Sequence, residues 1–427
     1  MKIIADLHIH SPYARAVSKE MTLENLDAWA GDKGITIMGT GDFTHPKWLK
    51  EIKEKLEPAE PGLFKVKAAH KVKNMKGKFS DTRFMLTTEI SSIYKRGGKV
   101  RKVHNLLFVP DVETIEKIYR SLLMRGANLH SDGRPIIGID SEDLLKTTLE
   151  ANPEALFIPA HAWTPWFSVF GSMSGFDSLE ECFGDNTKYV YAIETGLSSD
   201  PPMNWRISKL DKIALISNSD SHSLQRIGRE ANEFDIKPSF NALAKALKEK
   251  NPKNFLRTLE FFPEEGKYHY DGHRVCKKCL APSETKKLEG KCPVCGKPVT
   301  VGVMNRVDAL ADRPEGFKDE KKVGYKNMIP LDEIIGEAFD VGPTSKRVKE
   351  EYKKMIIALD TELKILFEAS DKELKEAGTK TEVIEGILRV REGEVRIDPG
   401  YDGEYGKIKI FEEKERASLK TQNPLFY

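Results

Sequence analysis

The sequence predicts an α/β barrel in its first 235 residues. Short, near-continuous apolar runs alternate there with helical patterns, as parallel strands buried on both faces require. The runs are Ile3–Ala5, Ile35–Gly39, Phe84–Glu89, Val103–Val109, Ile136–Gly138, Leu156–Ala160, Val190–Ile193 and Ala214–Ser217. Between them, Leu23, Leu26 and Ala30 line one face of a helix, and Leu144, Leu145 and Leu149 line another. About seven or eight such repeats favour a barrel over an open doubly wound sheet. No Gly-x-Gly-x-x-Gly turn or phosphate-binding P-loop supports a nucleotide-binding version of the open sheet.

The chain has 427 residues, a length suited to two or three domains. Hydrophobic residues make up 39% and charged residues 31%, which excludes a disordered or membrane-embedded class. No apolar run approaches a membrane span, and Met1–Ala5 leads directly into the first strand. A cytoplasmic protein without a membrane partner is expected. The net charge of +2 says nothing about partners, so local charge must carry that argument. Glutamine occurs only at Gln225 and Gln422 while Lys and Glu abound, as expected of a thermophile.

The ends of the apolar runs carry the chemistry. His8 and His10 follow the first run, and residues two apart in a strand point the same way. The second run leads into Asp42 and His45, and the third ends at Glu89. The fourth holds His104, and the later ones are followed by His161, Glu194, and Asp220 with His222. Barrel enzymes build their sites at such strand ends. Nitrogen and oxygen donors without thiolates suit zinc, manganese or iron, and the pattern predicts a multinuclear centre. Metals held about 3.5–4 Å apart suit an in-line displacement at phosphorus.

Asp6-Leu7-His8-Ile9-His10-Ser11, Gly41-Asp42, Glu89, His104, His161 and Asp220-x-His222 together resemble the motifs of the PHP superfamily. The resemblance implies a distorted (β/α)7 barrel with a trinuclear centre. It implies that His8, His10, Glu89 and Asp220 hold one metal, and that Glu89, His104 and His161 hold a second with Glu89 bridging. It assigns His222 to a third. Two departures fall near that third metal: Arg15 and Phe43 stand where many members have histidine. Asp42 and His45 are the candidates to complete its shell.

Longer stretches resemble the archaeal endonuclease Q family: Gly39-Thr40-Gly41-Asp42-Phe43-Thr44-His45-Pro46, Pro159-Ala160-His161-Ala162-Trp163-Thr164-Pro165-Trp166, and Glu194-Thr195-Gly196-Leu197-Ser198-Ser199-Asp200-Pro201-Pro202. That resemblance implies a DNA-repair endonuclease. It would cut on the 5′ side of a deaminated base (hypoxanthine, uracil, xanthine) or an abasic site, leaving a 3′-hydroxyl and a 5′-phosphate. Zinc, magnesium or manganese would serve the active site.

The residues agree. Lys95-Arg96-Gly97-Gly98-Lys99-Val100-Arg101-Lys102 reads as a cationic hairpin between Glu89 and His104, suited to DNA phosphates through Lys95, Arg96, Lys99, Arg101 and Lys102. Trp163, Trp166 and Phe167 follow His161 and are candidates to wall an extruded base, with Ser198 and Ser199 beside them. Loop aromatics plugging the barrel top, and a Ser-Ser-Asp-Pro-Pro turn, are the plainer readings. Glu194 and Asp200 are the candidate catalytic acids.

Cys276-x-x-Cys279 and Cys292-x-x-Cys295 predict a four-cysteine structural zinc ribbon within residues 262–302. His269 and His273 lie close by, but four thiolates complete a shell. Residues 1–240 form the expected barrel domain and 325–427 a mostly helical DNA-interacting region, in which Tyr352, Met355, Ile356, Leu359, Leu363 and Leu366 keep helical spacing. Gln422-Asn423-Pro424-Leu425-Phe426-Tyr427 partly resembles a sliding-clamp-binding peptide. Two other readings compete: a phosphatase acting on a small phosphomonoester, and a non-catalytic DNA-binding module. The zinc ribbon and cationic loops disfavour the first, and the full ligand set disfavours the second.

Overall fold

The computed structural model describes residues 1–319, 321–412 and 415. The clamp-like peptide at the C-terminus lies outside them. Seven strands form the barrel: Lys2–Asp6, Ile37–Gly39, Arg83–Arg96, Lys99–Val109, Leu156–Pro159, Ala192–Glu194 and Ala214–Ile216. The first three pair in parallel. Lys99–Val109 then runs antiparallel to both of its neighbours, and this reversal is the distortion. The last two strands pair in parallel. Closure onto the first strand uses side chains as well as backbone. Asn218 Oδ1 accepts the N–H of Leu7 (2.9 Å), Asn232 Oδ1 accepts that of Ser217 (3.0 Å), and the N–H of His10 donates to the carbonyl of Ser221 (3.0 Å). The expected barrel is thus present, with Ala231–Asp235, Phe255–Glu260 and Gly324–Asn327 extending the sheet beyond the first strand.

The long hairpin turns at Gly97 (φ +60°) and Gly98 (φ +75°). Positive φ at both central residues matches the right-handed twist of the flanking strands. The Leu23–Lys33 helix starts at Thr22, whose Oγ1 accepts the N–H of Asn25, and ends at Gly34 (φ +92°).

One buried cluster joins Ile3, Ala5, Leu106, Phe108, Ile158 and Ile216 to the Phe240–Glu249 helix through Leu243 and Leu247. A second runs from Phe43, Trp48 and Leu86 into the C-terminal helices at Ile335, Met355, Leu366 and Ile387. Barrel and C-terminal helices therefore share one apolar core. Among the described residues no helix is long and apolar enough to cross a membrane.

Candidate metal centre

The strand ends deliver their side chains to one place at a cost in backbone strain. Asp42, His161 and Asp220 all have positive φ (+47°, +28° and +45°), a conformation L residues adopt only when the surroundings impose it. Gly196 must be glycine for the same reason, since a Cβ there would lie 2.6 Å from that of His161.

Two groups of donor atoms result, each within 4.8 Å: His8, His10 and Asp220, and Glu89, His104 and His161. Glu89 belongs to both neighbourhoods. Its Oε1 lies 2.7 Å from His104 Nδ1 and 3.0 Å from His161 Nε2. Its Oε2 lies 3.4 Å from His10 Nε2 and 3.6 Å from His8 Nε2. The residues fit divalent ions. His8 Nε2 is buried, has no hydrogen-bond partner, and faces Glu89 and Asp220. An orphaned imidazole nitrogen among carboxylates is a ligand position.

The electrostatics follow from burial and pairing. Burial pushes His104 down to about 4, toward the neutral form that ligates. Burial disfavours the Glu89 carboxylate, but His104 and Arg134 outweigh it and hold the group well below its usual range. His8 and His10 do the same for Asp220.

Behind the donors stands a second set of side chains. Glu194 places both oxygens 3.1 Å from His8 Nδ1, and Oε2 also accepts the N–H of His161 (2.8 Å). Asp42 Oδ1 lies 3.0 Å from His10 Nδ1, while Oδ2 accepts from Ser11 N (2.6 Å) and Oγ (2.7 Å). Thr164 Oγ1 lies 3.2 Å from His161 Nδ1. Such partners fix tautomer and ring orientation. His222 sits beside the first group, its ring 4.7 Å from that of His10 and its Nδ1 2.9 Å from the Asp220 carbonyl.

The cysteine module gathers a different set from the one expected. His273, Cys276, Cys292 and Cys295 bring their donor atoms within 4.8 Å, and Cys279 stays out. The cause is strand parity. In the antiparallel pair Asp271–His273 and Lys278–Leu280, Gly272 faces Cys279 and His273 faces Lys278. Adjacent residues alternate sides, so His273 and Cys279 project from opposite faces. Cys279 Sγ instead contacts the Pro399 carbonyl at 3.8 Å. Despite desolvation, the N–H groups of Val294 and Cys295 pull the Cys292 thiol down to about 6, toward the thiolate a metal needs. Three thiolates and an imidazole suit zinc.

Residues 330–394 match the family model of the MJ0043 C-terminal domain. YqxK, an uncharacterized protein of Bacillus subtilis, is 30% identical over 96% of this chain and 99% of its own length. The lesion-specific endonuclease PfuEndoQ from Pyrococcus furiosus superimposes with a TM-score of 0.84 at 31% identity, covering 100% of both chains. The chain belongs to the endonuclease Q family. An endonuclease Q bound to a 27-mer duplex with an abasic lesion at its active site gives a TM-score of 0.81 at 31% identity, over 97% of this chain and 98% of the other. Membership in the endonuclease Q family makes the chain an endonuclease, and the donor groups equip it as a metal-dependent one.

Other candidate residues of this endonuclease Q lie outside the two donor groups. Asp42 contacts His10 Nδ1 and joins neither group. His45 turns away, with Nε2 3.3 Å from the His130 carbonyl and its ring stacked on Tyr13 at 4.6 Å. Glu194 lies behind His8, fully buried. Asp200 caps the Pro201–Trp205 helix by accepting the Met203 N–H (3.0 Å). Ser199 is buried, its Oγ bonded to the Thr195 carbonyl (2.9 Å). Trp163 is fully buried, donates to Asn204 Oδ1 (2.8 Å), and packs on Phe170. Phe167 packs on His104 at 4.8 Å.

Of the wall candidates, Trp166 and Ser198 line a cavity of about 280 Å³ together with Thr164, Tyr268 and Tyr405. Trp166 is 41% exposed and meets Tyr268 edge-on at 5.7 Å.

The cationic hairpin is also divided. Lys95 and Lys99 are exposed. Arg96 is engaged by the Cys182 carbonyl (2.6 Å), Asp140 and Glu142. Arg101 donates to the Gly175 carbonyl and lies over Phe176. Lys102 lies over Phe167 at 5.2 Å. Sequence reasoning missed Arg134, whose Nη1 is 3.1 Å from Glu89 Oε2. No motif surrounds it, and a tertiary contact alone reveals it.

Proposed function

We propose that this chain is a metal-dependent DNA-repair endonuclease that hydrolyses the phosphodiester 5′ of a deaminated or abasic nucleotide at a multinuclear centre. The position of Glu89 carries this reading: each of its oxygens faces a separate group of donors, as a carboxylate between two metals would. His8, His10 and Asp220 would hold one ion, and His104 and His161 a second. His222 stands where it could serve a third. Bound zinc, magnesium or manganese would supply Lewis acidity to water and to the phosphate.

The chain's own residues do the rest. Glu194, Asp42 and Thr164 keep the Nε2 atoms of His8, His10 and His161 on the centre. The buried walls exclude bulk water, which strengthens every charge interaction within. Water adds to phosphorus, the bond from phosphorus to O3′ breaks, and the departing oxygen takes a proton. A 3′-hydroxyl and a 5′-phosphate result.

The cavity walled by Trp166, Ser198 and Tyr268 is suited to an extruded base. It adjoins the centre through Thr164, which lines the cavity and hydrogen-bonds His161. Aromatic faces beside apolar walls are how flipped bases are held. Lys95 and Lys99 are placed to meet phosphates. The zinc module, residues 262–302, is structural, the barrel occupies 1–240, and 325–427 adds DNA contact.

The test is cleavage of end-labelled duplexes carrying one deoxyinosine, one deoxyuridine, one abasic site or none, with zinc, magnesium or manganese supplied. A single cut 5′ of the lesion, absent from the intact duplex and abolished by His8→Ala, is the expected result. Release of phosphate from a small phosphomonoester with every duplex left whole would overturn it.

A further inference from the structure

Metal ligation explains the imidazoles and carboxylates of the centre and leaves one strong cation unexplained. Arg134 lies in the segment between the Val112–Met124 helix and the Ile136–Ile137 strand. Its Nη1 reaches Glu89 Oε2 at 3.1 Å, and its side chain is 27% exposed. It therefore borders the mouth of the site while touching its floor.

The segment is braced from several sides. Asp132 Oδ1 accepts the N–H of Arg15 (3.2 Å) and of Arg134 (3.0 Å). The Gly133 N–H donates to the Tyr13 carbonyl (3.1 Å), and a Cβ at Gly133 would lie 2.4 Å from Asp42 Oδ2. The Pro135 carbonyl accepts the Ser91 N–H (3.0 Å). The His130 carbonyl meets His45 Nε2 at 3.3 Å. These ties run to the Ser11–Arg15 turn, to the Asp42–His45 turn and to the strand that carries Glu89. The Asp42–His45 turn, expected to supply ligands of a third metal, and the Ser11–Arg15 turn thus both hold Arg134 in place.

Pairing with Glu89 Oε2 uses only one of the donors that this bracing holds in place. A guanidinium has five donors in a rigid fork. One is used on Glu89, and the others meet no protein acceptor among the described residues. Arg229, also near Asp220, behaves differently. Its Nε donates to the Ser219 carbonyl (2.9 Å) and its Nη2 to the Asp220 carbonyl (3.5 Å). One arginine is spent on two backbone carbonyls, and the other is held with donors to spare at the opening.

We propose that Arg134 is a catalytic residue that binds a non-bridging oxygen of the scissile phosphate. The proposal rests on the endonuclease reading above and names a contact within it. Charge grows on the phosphoryl oxygens in the transition state, and a cation fixed in advance stabilises it without reorganisation. Bidentate geometry makes arginine better than lysine at this task.

The test compares wild type, Arg134→Ala and Arg134→Lys on lesion duplexes with either a normal phosphate or a neutral methylphosphonate at the scissile linkage. Affinity is read by fluorescence anisotropy with calcium present, and metal content by elemental analysis. Arg134→Ala is expected to keep wild-type metal content and lower kcat by about 10²–10³-fold, as loss of one transition-state donor does. It should weaken binding of the phosphate duplex by about tenfold and leave the methylphosphonate duplex unchanged. Arg134→Lys should recover part of both. Equal losses on the two duplexes, or loss of metal with activity, would make Arg134 a mere brace for Glu89 and overturn the proposal. A wild type that cuts no lesion duplex would instead overturn the nuclease reading itself.

Discussion

Glu194 places both carboxylate oxygens 3.1 Å from Nδ1 of His8. This one contact fixes the proton on Nδ1 and leaves Nε2, which has no hydrogen-bond partner among the described residues, as the lone-pair donor. Glu194 lies on the neighbourhood's far side from the donors, so its effect on chemistry runs through the imidazole.

Glu194→Gln should therefore act on metal affinity. The amide keeps the volume but presents a donor where a strong acceptor stood. Loss of such an orienting partner lowers metal affinity by roughly 10–100-fold. The expected outcome is a chain that folds, binds metal more weakly in competition with a chelator, and regains cleavage at raised metal concentration. Unchanged metal affinity would show that His8 needs no orientation.

His273 and Cys279 separate two descriptions of the zinc module. If the strand pairing is as observed, His273→Ala removes a ligand and Cys279→Ser does not. The first should lose stoichiometric zinc and lower the melting temperature. The second should retain both. The opposite pattern would mean that the hairpin register slips by one residue, which exchanges its two faces.

The barrel was legible because its signal is local: apolar runs of strand length, each stopping at a ligand-type residue. The gathering of His8, His10, Glu89, His104, His161 and Asp220 followed from those stops. What lay beyond reach was direction. Asp42 and His45 share one turn, yet one faces His10 and the other stacks on Tyr13. A spacing cannot tell these apart. Four cysteines in pairs imply four ligands, and only the register of Gly272 with Cys279 sets Cys279 apart from the group that gathers His273. Arg96 and Arg101 read as free cations because their acceptors, the carbonyls of Cys182 and Gly175, are remote in sequence.

Trp163 and Trp166 are three residues apart and should respond differently. Trp163→Ala removes a fully buried ring, and such truncations destabilise by about 3–5 kcal/mol. Its defect should appear in thermal melting. Trp166→Ala removes a half-exposed ring and should leave the melt near wild type. Its loss should appear as weaker binding of lesion duplexes, by about 1–3 kcal/mol for one stacked base. Equal binding of lesion and intact duplexes by wild type and Trp166→Ala alike would exclude the cavity as the base site.

Asp200 offers the pH test. Burial raises its carboxyl from 3.8 to about 7, with Glu264 adding to the effect. The unfolded chain ionises this group near 4, so between about pH 4 and pH 7 the folded state holds a proton that the unfolded state has lost. Stability from this group is full below pH 4, falls through that window and levels off above pH 7. Asp200→Asn keeps a good N-cap for the Pro201–Trp205 helix and cannot ionise. Its melting temperature should match wild type at pH 4 and exceed it at pH 8. Cleavage should persist, since the carboxyl caps a helix and touches no donor of the metal centre. Abolished cleavage in a variant of unchanged or raised stability would return Asp200 to the catalytic machinery.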